Sequence, residues 1–511
     1  MLRYHLFVPV FLWCFWVENS PVNAATRDVG PGRTYARIEA AYQAANAGDS
    51  ILVYPKAAGA SYDSVAVYLT KRKLAVRGIA AAGQRVVLHG NGYDYSGSGS
   101  VPRAMFQFNP GADSCVVENF EISGCQNTSY NGAAFRINQV NDIVIRNCEI
   151  HGNDMGIMSN GTVAANSAAN QLIQNCIVHD NGNTADPGYN HNFYVGGTSV
   201  VIRGCNVYAA TTGHDIKSRA HITIVEGCYV HDCQNREFDL VDDSGVTTVA
   251  ASHALIAGCV IVKAASATGN KTTIHFGQDG GFDHTGTLYV VHCTIVSPYV
   301  SPVVDLSAPG AGVTFTNSLV LDPTGSASGQ VLVNARNGAL ISNATGSHMW
   351  MSSGFSAPAG GVFDHVTIGT TGSLPKFIDA ASGNYALADS FAGIVDAGLD
   401  LASIYVPQEV GNRLLIAFLV PLGSCARTFA GAPDIGVYEW RSGQTPVKPR
   451  IPSCASHGTG FAGAVTVDLK GRVVRAGLRN NKGIAAAHGL YLTRTQTADR
   501  TGTVKIKMVL Q

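Results

Sequence analysis

Charge is scarce in this chain and it cancels: 14% of the 511 residues are charged, 35 basic against 35 acidic, and only 8% are aromatic. A polypeptide of this kind is neither disordered nor a charged coiled coil, and it lacks the basic excess of a nucleic-acid binder. Long apolar runs are missing too. Leu6 to Val17 falls short of the roughly 20 residues that span a bilayer, and no other window reaches that length, so no membrane span is expected. With Arg3 and His5 before it and Val22-Asn23-Ala24-Ala25 after, that run reads as a secretory signal peptide over residues 1–24, placing the protein outside the cell or on its surface. No Cys-x-x-Cys and no His-Glu-x-x-His phrase occurs, which removes the common zinc sites. Proline is sparse at 19, against 57 glycines.

What the chain has in place of these is repetition. One phrase recurs as IVIRNCEIHGN at Ile143, LIQNCIVHDN at Leu172, VVIRGCNVYA at Val200, ITIVEGCYVHD at Ile222, ALIAGCVIV at Ala254 and LYVVHCTIV at Leu288, with looser copies at Cys115 and Val313. In register, one column holds Phe120, Cys148, Cys176, Cys205, Cys228, Cys259, Cys293 and Ser318. Apolar columns flank it, such as Ile145, Ile173, Ile202 and Val225, and alternate with polar Arg146, Gln174, Arg203 and Glu226, the period of a half-buried strand. The position before the cysteine column holds Asn119, Asn147, Asn175, Gly204, Gly227, Gly258, His292 and Asn317, a pattern expected where the backbone turns left-handed.

Copies spaced by 23 to 34 residues suit a coil of three short strands, so the fold class is all-β, a right-handed parallel β-helix over residues 25–440. The cysteines then form an inward ladder of small buried hydrophobes rather than a redox or metal site. An amphipathic helix in TYARIEAAYQAANAG, closing at Gly48, is expected to cap the first coil, and Val67 to Gly90 supplies the first strands. The phrase GAPDIGVYEW, Gly431 to Trp440, resembles the closing segment of bacterial β-helix proteins. Residues 441–463 read as a linker, and 464–511 as a small β-sandwich-like unit.

Between the copies lies a further strand: GIMS at Gly156, NFYV at Asn192, DIKS at Asp215, EFDL at Glu237, TIHF at Thr273 and VVDL at Val303. With Ile157, Phe193, Ile216, Phe238, Ile274 and Val304 inward, Met158, Tyr194, Lys217, Asp239, His275 and Asp305 are expected outward in one row. Asn192, Asp215 and Glu237 are expected in a second row beside it, and Arg219, flanked by Gly196 and Gly277, stays accessible. Groups about 5 Å apart on adjacent coils are able to cooperate on one sugar ring. A plain salt-bridged strand face, with Lys217 pairing Asp239 and Asp215, is the simpler alternative.

The string HDIKSRAHITIVEGCYV, His214 to Val230, with Arg236 nineteen residues after Lys217, resembles the Lys and Arg pair of β-helix polysaccharide lyases of the chondroitinase B and alginate lyase type. The resemblance covers about residues 140 to 300. It implies β-elimination on a uronate-containing polysaccharide, with Lys217 as base, Arg219 or Arg236 serving the leaving oxygen, Tyr194 and His275 assisting, and His214, Asn192 and Asp239 binding substrate. The family holds calcium with an Asn and two Glu before the Lys. Here Ala210 and Thr212 stand at two of those positions, so Ca²⁺ would use Asn192, Asp215, Glu237 or Asp239. For the lysine to act as base its pKa must fall from near 10.4 toward about 7 to 8. Two other readings stay open: a glycoside hydrolase working with Asp215, Glu237 and Asp239, and a non-catalytic carbohydrate-binding protein with Tyr194, Tyr208 and Tyr229 as platforms.

The segment DLKGRVV, GLYLTR, VKIKMVL within 464–511 resembles type IX secretion sorting domains, though without their opening Asn-Pro phrase, and an ordinary accessory β-sandwich fits it as well. Residues 441–511 take 12 of the 35 basic and 2 of the 35 acidic residues and leave 23 against 33 before them. An acidic solenoid does not draw in a polyanion by its bulk field, so the expected polysaccharide partner would rest on the local Lys217, Arg219 and Arg236 cluster or a cation held by the carboxylates, while the basic tail fits an anionic cell surface; the chain is expected to be a monomer without a nucleic-acid partner.

Overall fold

The computed structural model describes residues 24–442, apart from 82, 299–300, 325–328, 412–413, 415 and 430, and four further strands in the last 60 residues. The chain separates into two compact units, Met1–Ile451 and Pro452–Gln511. The expected signal peptide, at residues 1–24, and most of the expected linker lie outside the described residues.

The first unit is a parallel β-helix. Thirty-one strands form one hydrogen-bonded network, and each coil contributes three of them. Ala133–Asn138, Val144–Arg146 and Glu149–His151 make one coil, stacked in parallel on Met155–Asn160, Gln171–Gln174 and Ile177–His179. The next two coils run their first and second strands together as Phe193–Arg203 and Ile216–Glu226, each 11 residues long. No loop separates the two strands in these coils, a shortening that the three-strand reading does not anticipate.

Inside, the cysteine column is a ladder of free, buried thiols. Cys176, Cys205 and Cys228 each donate a backbone N–H to the sulfur of the next coil at 3.4 Å. Burial pushes every thiol from Cys148 to Cys259 far up, which leaves them unreactive. All eight residues of the preceding column, from Asn119 at φ 67° to Asn317 at φ 50°, adopt the left-handed conformation. There the Asn and Gly residues avoid the steric cost that other side chains meet.

The helix Ile38–Ala44 buries Ile38, Ala41 and Tyr42 against the core beside the first strands. After the last coils the chain returns along the outside. Val410 and Leu414 cover outward-facing Ile222, Ile224, Leu255 and Tyr289, while Tyr385, Leu387, Ile435 and Val437 cover Val260, Val296 and Leu319. The closing phrase knots around Arg427, which donates to Glu439 at 2.6 Å and to the carbonyls of Asp434, Gly436 and Val437. The second unit contains two antiparallel hairpins, Val465–Val467 with Val473–Ala476 and Leu492–Ala498 with Val504–Leu510.

Candidate active site

The outward row is in register across the coils. Met158 pairs with Tyr194, Tyr194 with Lys217, Lys217 with Asp239, Asp239 with His275, and His275 with Asp305. Parallel stacking turns one position of the repeat into a line of side chains about 4.8 Å apart. Facing away from the core does not expose all of them. Lys217, Asp239 and His275 are buried beneath neighbouring loops, and Tyr194, Arg219 and Arg236 stay partly open.

Asp239 is the hub. Its Oδ1 accepts from His275 Nδ1 at 2.8 Å and Arg236 at 3.1 Å; its Oδ2 accepts from Lys217 Nζ at 2.8 Å and lies 3.4 Å from His214 Nε2. Burial works against the charge, but the bonds from His275 and Lys217 overcome it and hold the carboxyl well below its usual range. Lys217 Nζ also donates to Asp279 at 2.8 Å. Burial opposes that ammonium, yet the two carboxylates raise its pKa. The base that the resemblance assigns to Lys217 needs the opposite shift, so in this setting the side chain serves as a fixed positive charge.

Arg219 donates through Nε to the Tyr194 hydroxyl at 3.1 Å and through its other nitrogens to Asp279 at 2.7 Å and the Asp242 carbonyl. Gly196 lies beside it, as expected, whereas Val241 stands between it and Gly277. His191 and His214 stack with centroids 5.1 Å apart. Each Nδ1 accepts a backbone N–H from the next coil, from His214 at 2.9 Å and from Arg236 at 3.2 Å. Burial lowers both imidazoles, His214 to about 4, so both are neutral with the proton on Nε2, which in His214 lies 3.4 Å from Asp239 Oδ2.

His275 Nε2 lies 2.6 Å from the Ser307 hydroxyl, which with Asp239 reproduces the spacing of a nucleophilic triad. The chemistry does not follow from the spacing. Ser307 is 0% exposed, its oxygen accepts the Gln278 N–H, and Arg336 occupies the same imidazole nitrogen at 3.0 Å. Ser307 and Arg336 position His275.

The second expected row is corrected. Asn192, Asp215 and Glu237 are fully buried at the corner where each coil enters the strand, out of reach of solvent. Asp215 accepts from Asn192 at 2.9 Å and from the Ala210 N–H at 3.1 Å, and Glu237 lies 3.3 Å from the buried Lys263. Burial raises Asp215 to about 8 and Glu237 well above its usual value. The alternation fails there because the chain is turning and the side chains fold under it. Lys217 accordingly pairs with Asp239 and Asp279, not Asp215. The four residues named for Ca²⁺ do not converge: three are enclosed at the corner, and Asp239 is already engaged by His275, Lys217 and Arg236. They do not fit a calcium site, and among the described residues no three His, Cys, Asp or Glu side chains are grouped to hold a metal.

Tyr208 and Tyr229 do not join Tyr194. They belong to an outer stack of His151, His179, Tyr208, His231 and Tyr229, with successive centroids 5.1, 4.7, 4.8 and 3.8 Å apart, so their ring faces are covered by one another. Sequence reasoning missed Asp242, Asp279, His191, Ser307 and Arg336. A signal existed for the first two in the glycine-rich FGQDGG after the His275 strand and the paired acids Asp242-Asp243.

No family model matches this chain, and no curated protein matches it. Among solved structures it is similar to XylC in complex with xylose, at 11% identity and a TM-score of 0.43 over 69% of this chain and 87% of that one. It is also similar to the tailspike protein gp49 of Acinetobacter baumannii bacteriophage Fri1, a capsular polysaccharide depolymerase, at 11% identity and TM-score 0.40 over 66% of this chain and 60% of that one. A third is the GH136 lacto-N-biosidase of Eubacterium ramulus, at 12% identity and TM-score 0.39 over 67% and 68%.

Proposed function

We propose that this protein is an extracellular enzyme that cleaves an acidic polysaccharide by β-elimination, with the sugar chain lying over the partly open Tyr194, Arg219 and Arg236. The observation that carries the reading is a phenol at the head of a cationic cluster: Tyr194 Oη accepts from Arg219, with Lys217 on the next coil and Arg236 beyond it. β-Elimination asks for a base beside positive charge that neutralises the uronate carboxylate and steadies the enolate. In this scheme Tyr194 Oη, acting as base beside the Arg219 charge, takes the proton from the carbon α to the carboxylate. The released electron pair forms the new carbon–carbon double bond as the bond to the glycosidic oxygen breaks, and Tyr194 returns the proton to that oxygen. The partly open Arg236 and the fixed charge of Lys217 orient the sugar.

Hydrolysis fits less well. A hydrolase needs a carboxyl that keeps its proton near neutrality beside one that does not. In the groove Asp239 and Asp279 are both held low by cations, and the raised carboxyls Asp215 and Glu237 are enclosed. The N-terminal signal-like segment and the basic last 71 residues, 441–511, support export and surface attachment.

The test is incubation with a panel of uronate polysaccharides, following ultraviolet absorbance and reducing ends. Absorbance from an unsaturated product is expected, and Tyr194→Phe is expected to lower the rate by about 10²- to 10⁴-fold. Reducing ends without absorbance identify a hydrolase and overturn the proposal, as does unchanged lyase activity in Tyr194→Phe.

A further inference from the structure

The loop after the His275 strand puts a carboxylate where the substrate's would go. Asp279 Oδ2 alone bridges the two cations nearest the Tyr194 hydroxyl, 2.8 Å from Lys217 Nζ and 2.7 Å from Arg219. That side chain is 41% exposed, whereas Lys217 is 10% and Arg219 20% exposed. Asp279 therefore covers the cations from the solvent side, and an ion pair of that exposure is weakly held. The main chain that carries it hangs on one buried group: Asp242 accepts the N–H of Asp279 at 2.5 Å, of Gly280 at 2.7 Å and of Phe282 at 2.6 Å. Glycines stand at 277, 280 and 281, with Gly277 and Gly281 at φ 141° and 88°, so the loop is built of residues that can change conformation at low cost.

Lys217 also bonds Asp239, and Arg219 also bonds Tyr194, through contacts that do not involve Asp279. The site thus has a permanent half, made by the coils, and a removable half, supplied by the loop. We propose that Lys217 and Arg219 form the subsite for a substrate carboxylate, and that Asp279 fills it in the free protein as an internal carboxylate which an acidic sugar displaces. The proposal rests on the acidic-polysaccharide reading and adds where the acid group binds and what binding must remove. An internal ligand lowers apparent affinity by the fraction of molecules left open, so a subsite closed in about nine molecules of ten costs about tenfold in Kd.

Calorimetry on the full chain tests this with galacturonate, mannuronate and guluronate tetrasaccharides, each beside its uncharged methyl ester. Asp279→Asn is expected to bind at least one acid form about tenfold more tightly than the wild type and the esters unchanged. Asp279→Glu, which restores the carboxylate, returns affinity toward the wild type, and Arg219→Gln added to Asp279→Asn abolishes the gain. If Asp279→Asn binds no acid form more tightly, or gains equally for the esters, the proposal is overturned. Lost turnover at unchanged affinity overturns it too, by making Asp279 a catalytic group. A gain in affinity without any unsaturated product upholds the subsite and removes the lyase reading; unsaturated product without the gain does the reverse.

Discussion

The cysteine ladder and the Tyr194 to His275 row are built by the same device, one position of a repeat stacked coil on coil, and they differ in almost every other respect. In the ladder, neighbours carry the same atom and each thiol meets the same carbonyls, as Cys205 does with Arg203 and Ile173. In the row no two consecutive coils carry the same residue, and each side chain is defined by its neighbours: Asp239 by Lys217 on one side and His275 on the other. A repeat makes a core cheaply because every coil asks for the same residue. It makes a site only where the coils depart from one another.

That contrast predicts costs of different size. Asp239→Ala strips the carboxylate from Lys217, His275 and Arg236 and leaves Lys217 only its half-exposed partner Asp279, so it is expected to lose about 3–5 kcal/mol of stability along with activity. Urea unfolding measures the first, and stability equal to wild type would erase the distinction between row and ladder. The enclosed corner carboxyl comes next. Asp215 has its folded pKa raised to about 8 from 3.8, so the stability tied to its proton is whole below 3.8 and is lost as pH rises toward 8. The wild-type unfolding free energy from urea titrations is expected to fall across that window by up to about 1.4 kcal/mol per pH unit, and Asp215→Asn to flatten the fall. Identical pH profiles would place this carboxyl in solvent.

A smaller effect is expected at the turn column. Gly258→Ala puts a methyl 1.8 Å from the Ile416 carbonyl at φ 59°, and should cost about 1–3 kcal/mol by pushing the returning segment off the coils. The smallest belongs to the ladder itself. In the same column Ser318 donates to the Val290 and Thr316 carbonyls at 3.2 and 3.0 Å, so Cys205→Ser, offered equivalent carbonyls, is expected to cost no more than about 1 kcal/mol. A loss as large as that of Asp239→Ala would mean that the ladder is as individual as the row.

The fold was legible because burial on a repeat writes the same letters many times: Cys148 through Cys293 name the inward face, and Ile157 to Val304 orient the strand before it. The row was legible by parity from those inward residues. Parity stopped at the corner, where Asp215 and Glu237 follow the turn rather than the pleat. It had no reach at all to Asp242 and Asp279, which lie on loops and meet Arg219 across about 23 and 60 positions of chain.

The turn column separates what each level decides. That the column is left-handed was already written in the sequence at seven of its eight positions, since Asn and Gly meet the least steric cost there and only His292 departs from them. Which of the two occurs follows from tertiary packing. Gly204, Gly227 and Gly258 lie under the returning segment where a Cβ would meet Gly423 at 2.8 Å, Ile416 at 2.7 Å and the Ile416 carbonyl at 1.8 Å, whereas Asn317, also under it, has room to bond the N–H and carbonyl of Leu399 at 2.7 and 2.8 Å. Local sterics fix the conformation of a turn. Only the chain that later packs across it determines how much side chain the turn has room for.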